Sequence, residues 1–175
     1  PKPQNPLCQL NIYFYLTDFK KKLPENMLET LGPFHCNSAV TTGCLEKTDI
    51  LIFRREEWFK VLVHETFHCF GLDFANYSNK KFESKIKNIF PLDIEFNVWE
   101  AYTEFWATFI NSMMFSFDLL KDKEDLETFL LYTTFNLKFE QIFSLFQITK
   151  ILNFSSIPYK ALYEKLPVYH PMREY

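Results

Sequence analysis

Read from the N-terminus, the chain alternates before it winds. Residues 9–18 (QLNIYFYLTD) alternate apolar and polar positions and are rich in aromatic and β-forming types, which predicts a strand. Residues 24–32 (PENMLETLG) predict a short helix stopped by Gly32-Pro33. Two further strands are predicted over 36–42 (CNSAVTT) and 49–54 (DILIFR). From residue 56 the alternation gives way to a helical pattern. EEWFKVLVHETFHCF (56–70) reads as a helix with glutamates in its first turn and Gly71 at its C-terminal end. It is apolar nearly all round, which predicts burial. Residues 77–88 are polar and read as loop, and Pro91 and Asp93 open a second long helix over about 94–116. Three more helices are predicted over 123–135, 138–154 and 158–166. Strands followed by helices make an α+β chain. It reads as a single domain over 1–175, with a small N-terminal sheet and helix up to about residue 72 and a helical part from about 91 to 175.

Composition narrows the classes of function. With Phe 21, Tyr 9 and Trp 3 against Gly 3, the chain has ample apolar mass for a core and no glycine-rich phosphate cradle. Net charge is −3 and the lysines are scattered, KKK at 20–22 being the only run, so no nucleic-acid surface is expected. The apolar run FLLYTTF is too short to span a membrane. The expectation is a soluble chain without a retained signal peptide or membrane span, its compartment open. The first residue is not Met, so a removed leader stays open as well. Cys8, Cys36, Cys44 and Cys69 form no C-x-x-C pair, which leaves both disulfides and buried thiols open.

The chemistry concentrates at HETFH, residues 64–68, which holds two of the four histidines. On a helix, positions i and i+4 share a face, so His64 and His68 can bind one ion. Zinc accepts neutral imidazole, and a catalytic zinc keeps one position open for water. Glu65, beside the first histidine, is placed to take a proton from that water, whose pKa the metal has lowered. Inside an apolar helix each of these three groups carries a desolvation cost that a metal would offset.

A third protein ligand is required. The segment after His68 resembles the metzincin extension, in which a ligand follows a glycine by three residues, but that position is Phe74 and Asp73 falls one residue early. The better candidates lie in NVWEAYTEFWATFIN (97–111), where Asn97, Glu100, Glu104, Thr108 and Asn111 form a polar stripe between aromatic residues and are expected to face inward. Glu100 is preferred as ligand, because Glu104 is then left to accept the free ring N–H of a ligand histidine. With Glu104 as ligand, Thr108 would take that place.

HETFH together with EAYTE (100–104) resembles the gluzincin branch of the zincin metallopeptidases. EFWAT (104–108) is similar to the ligand helix of some toxin-type zincins, which keeps the Glu104 alternative open. The gluzincin resemblance covers about residues 49–111, and the wider layout from NSAVTT (37–42) to EAYTEFWA (100–107) also resembles peptidase-like proteins of large DNA viruses. The resemblance implies a zincin-like fold, a Zn2+ cofactor on His64, His68 and Glu100, and Glu104 behind a ligand histidine. It also implies a peptide or protein substrate hydrolysed through a zinc-bound water that Glu65 activates. Gluzincins often take an oxyanion donor from beyond the third ligand; His170 is the candidate, with Tyr159 and Tyr163 as alternatives. CNSAVTT would be the edge strand that holds an extended substrate. Arg54 and Arg55 read as surface charges ahead of the helix, with a substrate carboxylate as the other use for them. The competing functions are a non-catalytic interaction or virion-type protein that retains the fold, and a metal-free helical binding module. An intact Glu65 speaks against the first of these.

Overall fold

The structure, a computed structural model, describes residues 9–25, 32–42, 47–75, 77, 80–92 and 96–164. Three strands, β1 (Gln9–Thr17), β2 (Ala39–Thr41) and β3 (Lys47–Arg54), form one sheet in the order β1-β3-β2. β3 runs parallel to β1 and antiparallel to β2, with Ile12 opposite Ile50 and Ala39 opposite Ile52. A single helical turn, α1 (Pro33–Cys36), lies between β1 and β2. The helices α2 (Trp58–Cys69), α3 (Lys80–Ile89), α4 (Val98–Leu119) and α5 (Leu126–Phe154) follow, then a 3-10 turn, Tyr159–Leu162. The chain is therefore α+β, and no helix among the described residues is long and apolar enough to cross a membrane.

β3 is the central strand and its alternation organises the core. Thr48, Ile50, Ile52 and Arg54 occupy its buried face. Ile50 and Ile52 pack with Ala39 of β2 and with Val61 and Cys69 of α2. Each isoleucine withdrawn from water there contributes about 1.5–3 kcal/mol. An edge-on contact between Phe14 and Trp58, centroids 5.6 Å apart, ties β1 to the start of α2. α4 packs on the far side of α2, and α5 packs on α4.

α4 has a feature that hydrophobic periodicity does not reveal. Thr103, Ala107, Ser112 and Ser116 are the buried positions of α4, all small. Small side chains let two helix backbones approach closely, and a hydrogen bond from Asn136 Nδ2 to Ser116 Oγ (2.8 Å) fixes the pairing.

Several boundaries differ from expectation. Residues 80–89, read as loop, are helical: Phe82, Ile86 and Ile89 recur at helical spacing among lysines, and Phe82 and Ile86 line a hollow with Phe74 and Tyr102. The helices expected over 123–135 and 138–154 are one continuous helix, because neither Asn136 nor Leu137 breaks the backbone pattern. Asp125 caps it, accepting from Thr128 N at 3.0 Å. The last expected helix is the 3-10 turn, and residues 165 and 166 lie outside the described residues. Of the expected 24–32 helix, residues 26–31 lie outside the described residues, and Pro33 begins a helical turn where it was expected to end one. The second long helix starts at Val98, not near residue 94. Glu56 and Glu57 sit in the turn before α2, Glu57 with a left-handed backbone at φ 58°. α2 is not enclosed on all sides, since Trp58 and Phe70 are exposed. Arg54, read as a surface charge, is buried at 3 % exposure, whereas Arg55 is exposed and pairs with Asp18 at 3.4 Å.

α2 ends in a Schellman turn. Gly71 N donates to His68 O (3.1 Å) and Leu72 N to Phe67 O (2.8 Å), with Gly71 at φ 61°. Any side chain at residue 71 would strain that conformation. Gly71→Ala should therefore lower the unfolding free energy by about 1 kcal/mol, read from the denaturation midpoint. No loss of stability would mean the turn relaxes to another geometry.

Candidate metal centre

Two neighbouring lines of side chains on α2 do different work. Val61, Glu65 and Cys69 are its buried line. Lys60, His64 and His68 follow one another at four-residue spacing and meet α4. Across the α2–α4 contact, Glu100 Oε2 stands 3.3 Å from His64 Nε2 and 3.4 Å from His68 Nε2. The two Nε2 atoms are 3.0 Å apart. Three potential donor atoms thus form a nearly regular triangle.

The size of that triangle fits an ion. Zinc bonds of about 2.0–2.1 Å place the donors of a tetrahedron about 3.3–3.4 Å apart, and three protein donors leave one vertex open. The groups behind the triangle fit as well. His64 Nδ1 donates to Glu104 Oε2 at 3.2 Å, and His68 Nδ1 donates to Asp73 Oδ2 at 2.6 Å. A carboxylate only accepts, so each Nδ1 carries a ring proton, and when the ring is neutral its Nε2 presents a lone pair to the triangle. With a carboxylate oxygen as third member, the cluster needs a cation at its centre.

Without metal, protons have to serve as that cation. Burial opposes protonation of His64, but hydrogen bonds to Glu100 and Glu104 outweigh it and push the imidazole up to about 9. The hydrogen bond to Glu100 likewise raises His68, against burial. Those two histidines hold the Glu100 carboxyl well below the usual carboxylate range. Glu104 resists the upward push of its burial, because His64 and Lys60 lower it to about 2. Lys60 Nζ donates to Glu104 Oε1 at 2.8 Å, so that carboxylate bridges the lysine and His64.

Glu65 lies on the buried line of α2, 8 % exposed, between Val61 and Cys69. Burial pushes its carboxyl up, against the pull of His64 and His68. A carboxyl so placed is poised as a proton acceptor nearer neutral pH than a surface glutamate.

Of the residues singled out from the sequence, His64, His68 and Glu100 converge, Glu104 stands behind His64, and Glu65 adjoins them. His170 lies outside the described residues. Tyr159 and Tyr163 contact each other, 5.7 Å between centroids. In the sequence Asp73 stands out only as a misplaced ligand. It is the buried acid behind His68, brought there by the turn at Gly71, and its signal was an acid just past a glycine cap. Lys60 was overlooked, though its place four residues before His64 put it on the same line.

Compared with known proteins, the chain matches no family model, no curated protein and no solved structure. The centre is therefore tested through its own chemistry. Glu100→Ala should abolish zinc binding, whereas Glu104→Ala and Asp73→Ala should each weaken it about 10–100-fold by titration calorimetry. Loss of zinc in Glu104→Ala with retention in Glu100→Ala would exchange the two roles. A second expectation concerns metal-stripped protein. His64 is raised from 6.5 to about 9, so its contribution to stability is full below pH 6.5 and is lost as the pH climbs through about 9. The melting temperature of the stripped protein should fall across that window. The increment from added zinc should grow across it, because zinc competes with the departing protons. A flat profile in the stripped protein would contradict the coupling.

Proposed function

We propose that this chain is a zinc-dependent metallopeptidase of zincin type. The observation that carries this is a triangle of two imidazole nitrogens and one carboxylate oxygen, with edges of 3.0–3.4 Å, beside the buried carboxyl of Glu65. His64, His68 and Glu100 would hold the ion. Zinc bound there supplies Lewis acidity, acidifying water and polarising a carbonyl.

The remaining work falls to the chain's own side chains. Glu65 takes a proton from the attacking water and delivers it to the leaving amine, a role suited to a carboxyl raised by burial. Glu104 and Asp73 fix the imidazole tautomers, and Lys60 holds Glu104 ionised and in place. The substrate is proposed to be a peptide or protein. β2 is an edge strand, and an extended peptide can add to its open side through backbone hydrogen bonds.

A second reading, an interaction protein that keeps the fold and the metal, has one observation in its favour. α5 exposes large apolar residues on several sides, among them Leu131, Phe135, Phe139, Ile142 and Phe146. Surfaces of that kind mark contacts with other macromolecules. The two readings part at Glu65, which an interaction surface does not need.

Glu65→Gln should bind one zinc per chain and fold normally, yet turn over a peptide library at least about 100-fold more slowly than the natural protein. Equal turnover would remove Glu65 from the reaction. Absence of turnover in the zinc-loaded natural protein would favour the interaction reading.

A further inference from the structure

Arg54 closes the buried face of β3, in line with Ile50 and Ile52, where an apolar residue would be expected. Its Nε and Nη2 are buried and have no hydrogen-bond partner among the described residues. The carboxylate recorded near it, Glu56 Oε2, is 3.9 Å from Nη2, beyond hydrogen-bond reach, on a side chain that is 67 % exposed. Leaving a guanidinium in this state is costly, since a buried charge needs both neutralisation and hydrogen bonds. Nε and Nη2 form one edge of the guanidinium fork, the edge that receives two oxygens side by side.

The Arg54 side chain contributes to the wall of an open cavity of about 1490 Å³ between the end of the sheet, α4 and α5, with its Nε and Nη2 buried beneath the surface. Ser38 lines the same cavity, and its buried Oγ also lacks a hydrogen-bond partner. Phe53 N donates to Ser38 O at 3.2 Å, so the two unmatched groups come from adjacent backbones. Lys20, Lys21 and Lys22 lie along the same rim. Of the four acids on the wall, Glu56 stands 3.9 Å from Arg54 Nη2, Glu57 and Glu104 are engaged by Lys60 at 3.7 and 2.8 Å, and Glu140 stands on α5. Phe105, Phe109, Ile148 and Ile151 supply an apolar side. His64, Glu65, His68 and Glu100 do not line the cavity, which meets the metal centre only at Lys60 and Glu104.

We infer that this cavity is a binding site for a carboxylate carried on an apolar body, the carboxylate lying side-on against Arg54 Nε and Nη2 with Ser38 Oγ beside it. The guanidinium fork selects paired oxygens, and the aromatic and aliphatic wall selects what bears them. A C-terminal peptide end and a fatty acid share this chemistry. The site goes beyond the metal-dependent reaction and is measured without turnover.

The test is calorimetric binding of N-acetyl-leucyl-phenylalanine and of its C-terminal amide, with decanoate and decanol as a second pair and inorganic phosphate as a control. The acid of at least one pair should bind about 10–100-fold more tightly than its neutral partner, the range expected for charged hydrogen bonds. A preference within the peptide pair assigns the source to a peptide end, and one within the decanoate pair to a fatty acid. Arg54→Met should erase the preference and keep the zinc content. It should also leave the ligand-free melting temperature unchanged or raised, because it removes an unmatched buried charge. Arg54→Lys keeps the charge but loses the fork, and should bind the acid more weakly than the natural protein. Equal binding of acid and neutral partner in both pairs overturns the inference, as does a preference that survives in Arg54→Met. Phosphate binding without any carboxylate preference overturns it too. A marked drop in the ligand-free melting temperature of Arg54→Met would show that the guanidinium is a structural member of the core, and would equally overturn it.

Discussion

Three electron-rich atoms within 3.4 Å of one another cannot be neighbours unless something positive lies among them. His64 Nε2, His68 Nε2 and Glu100 Oε2 are such a set, and the fold around them is arranged to hold it together. Asp73 and Glu104 take up the ring protons and so force both lone pairs inward. Lys60 in turn neutralises Glu104. Glu104 thus has a cation beside it, and Glu100 faces the two histidines. Without a metal, a proton can take the cation's place at the centre, since hydrogen bonds to Glu100 and its neighbours raise both histidines.

The architecture follows from the need to keep two helices in register. α2 lies between the sheet and α4, with the line Val61–Glu65–Cys69 on the core side and the line Lys60–His64–His68 on the α4 side. The 100° step between successive helix positions therefore gives Glu65 a drier setting than His64, though the two are adjacent in sequence. α5 packs on α4, where Asn136 donates to Ser116 Oγ at 2.8 Å, and the buried positions of α4 are all small, which permits a close approach of its neighbours. Glu100 and Glu104 are presented to α2 from a helix that α5 also contacts.

How much of this was legible in the sequence depended on whether the signal was local. The central strand, the HETFH helix and the Glu100–Glu104 helix each carry their own periodicity, and residue spacing alone pointed to the three side chains that converge, His64, His68 and Glu100. α3 was hidden because its three apolar positions sit among lysines, serine and asparagine. The continuity of α5 was hidden because Asn136 reads as a break, yet its side chain is used to hold Ser116 of α4. Asp73 and Lys60 could be given roles only once the turn at Gly71 and the α2–α4 contact were in view. Arg54 is the most instructive case. Strict alternation along Thr48, Ile50, Ile52 and Arg54 placed it indoors, but its charge argued for the surface, and the alternation prevailed.

X-ray absorption at the zinc edge, on protein loaded with one equivalent of zinc, examines the triangle most directly. The expected spectrum has two imidazole nitrogens and carboxylate and water oxygens at about 2.0–2.1 Å, with no sulfur contribution near 2.3 Å. Replacing His64 or His68 should remove one imidazole from the scattering pattern. A shell containing sulfur, or one that keeps two imidazoles when either histidine is replaced, would place the ion elsewhere and contradict the centre described above.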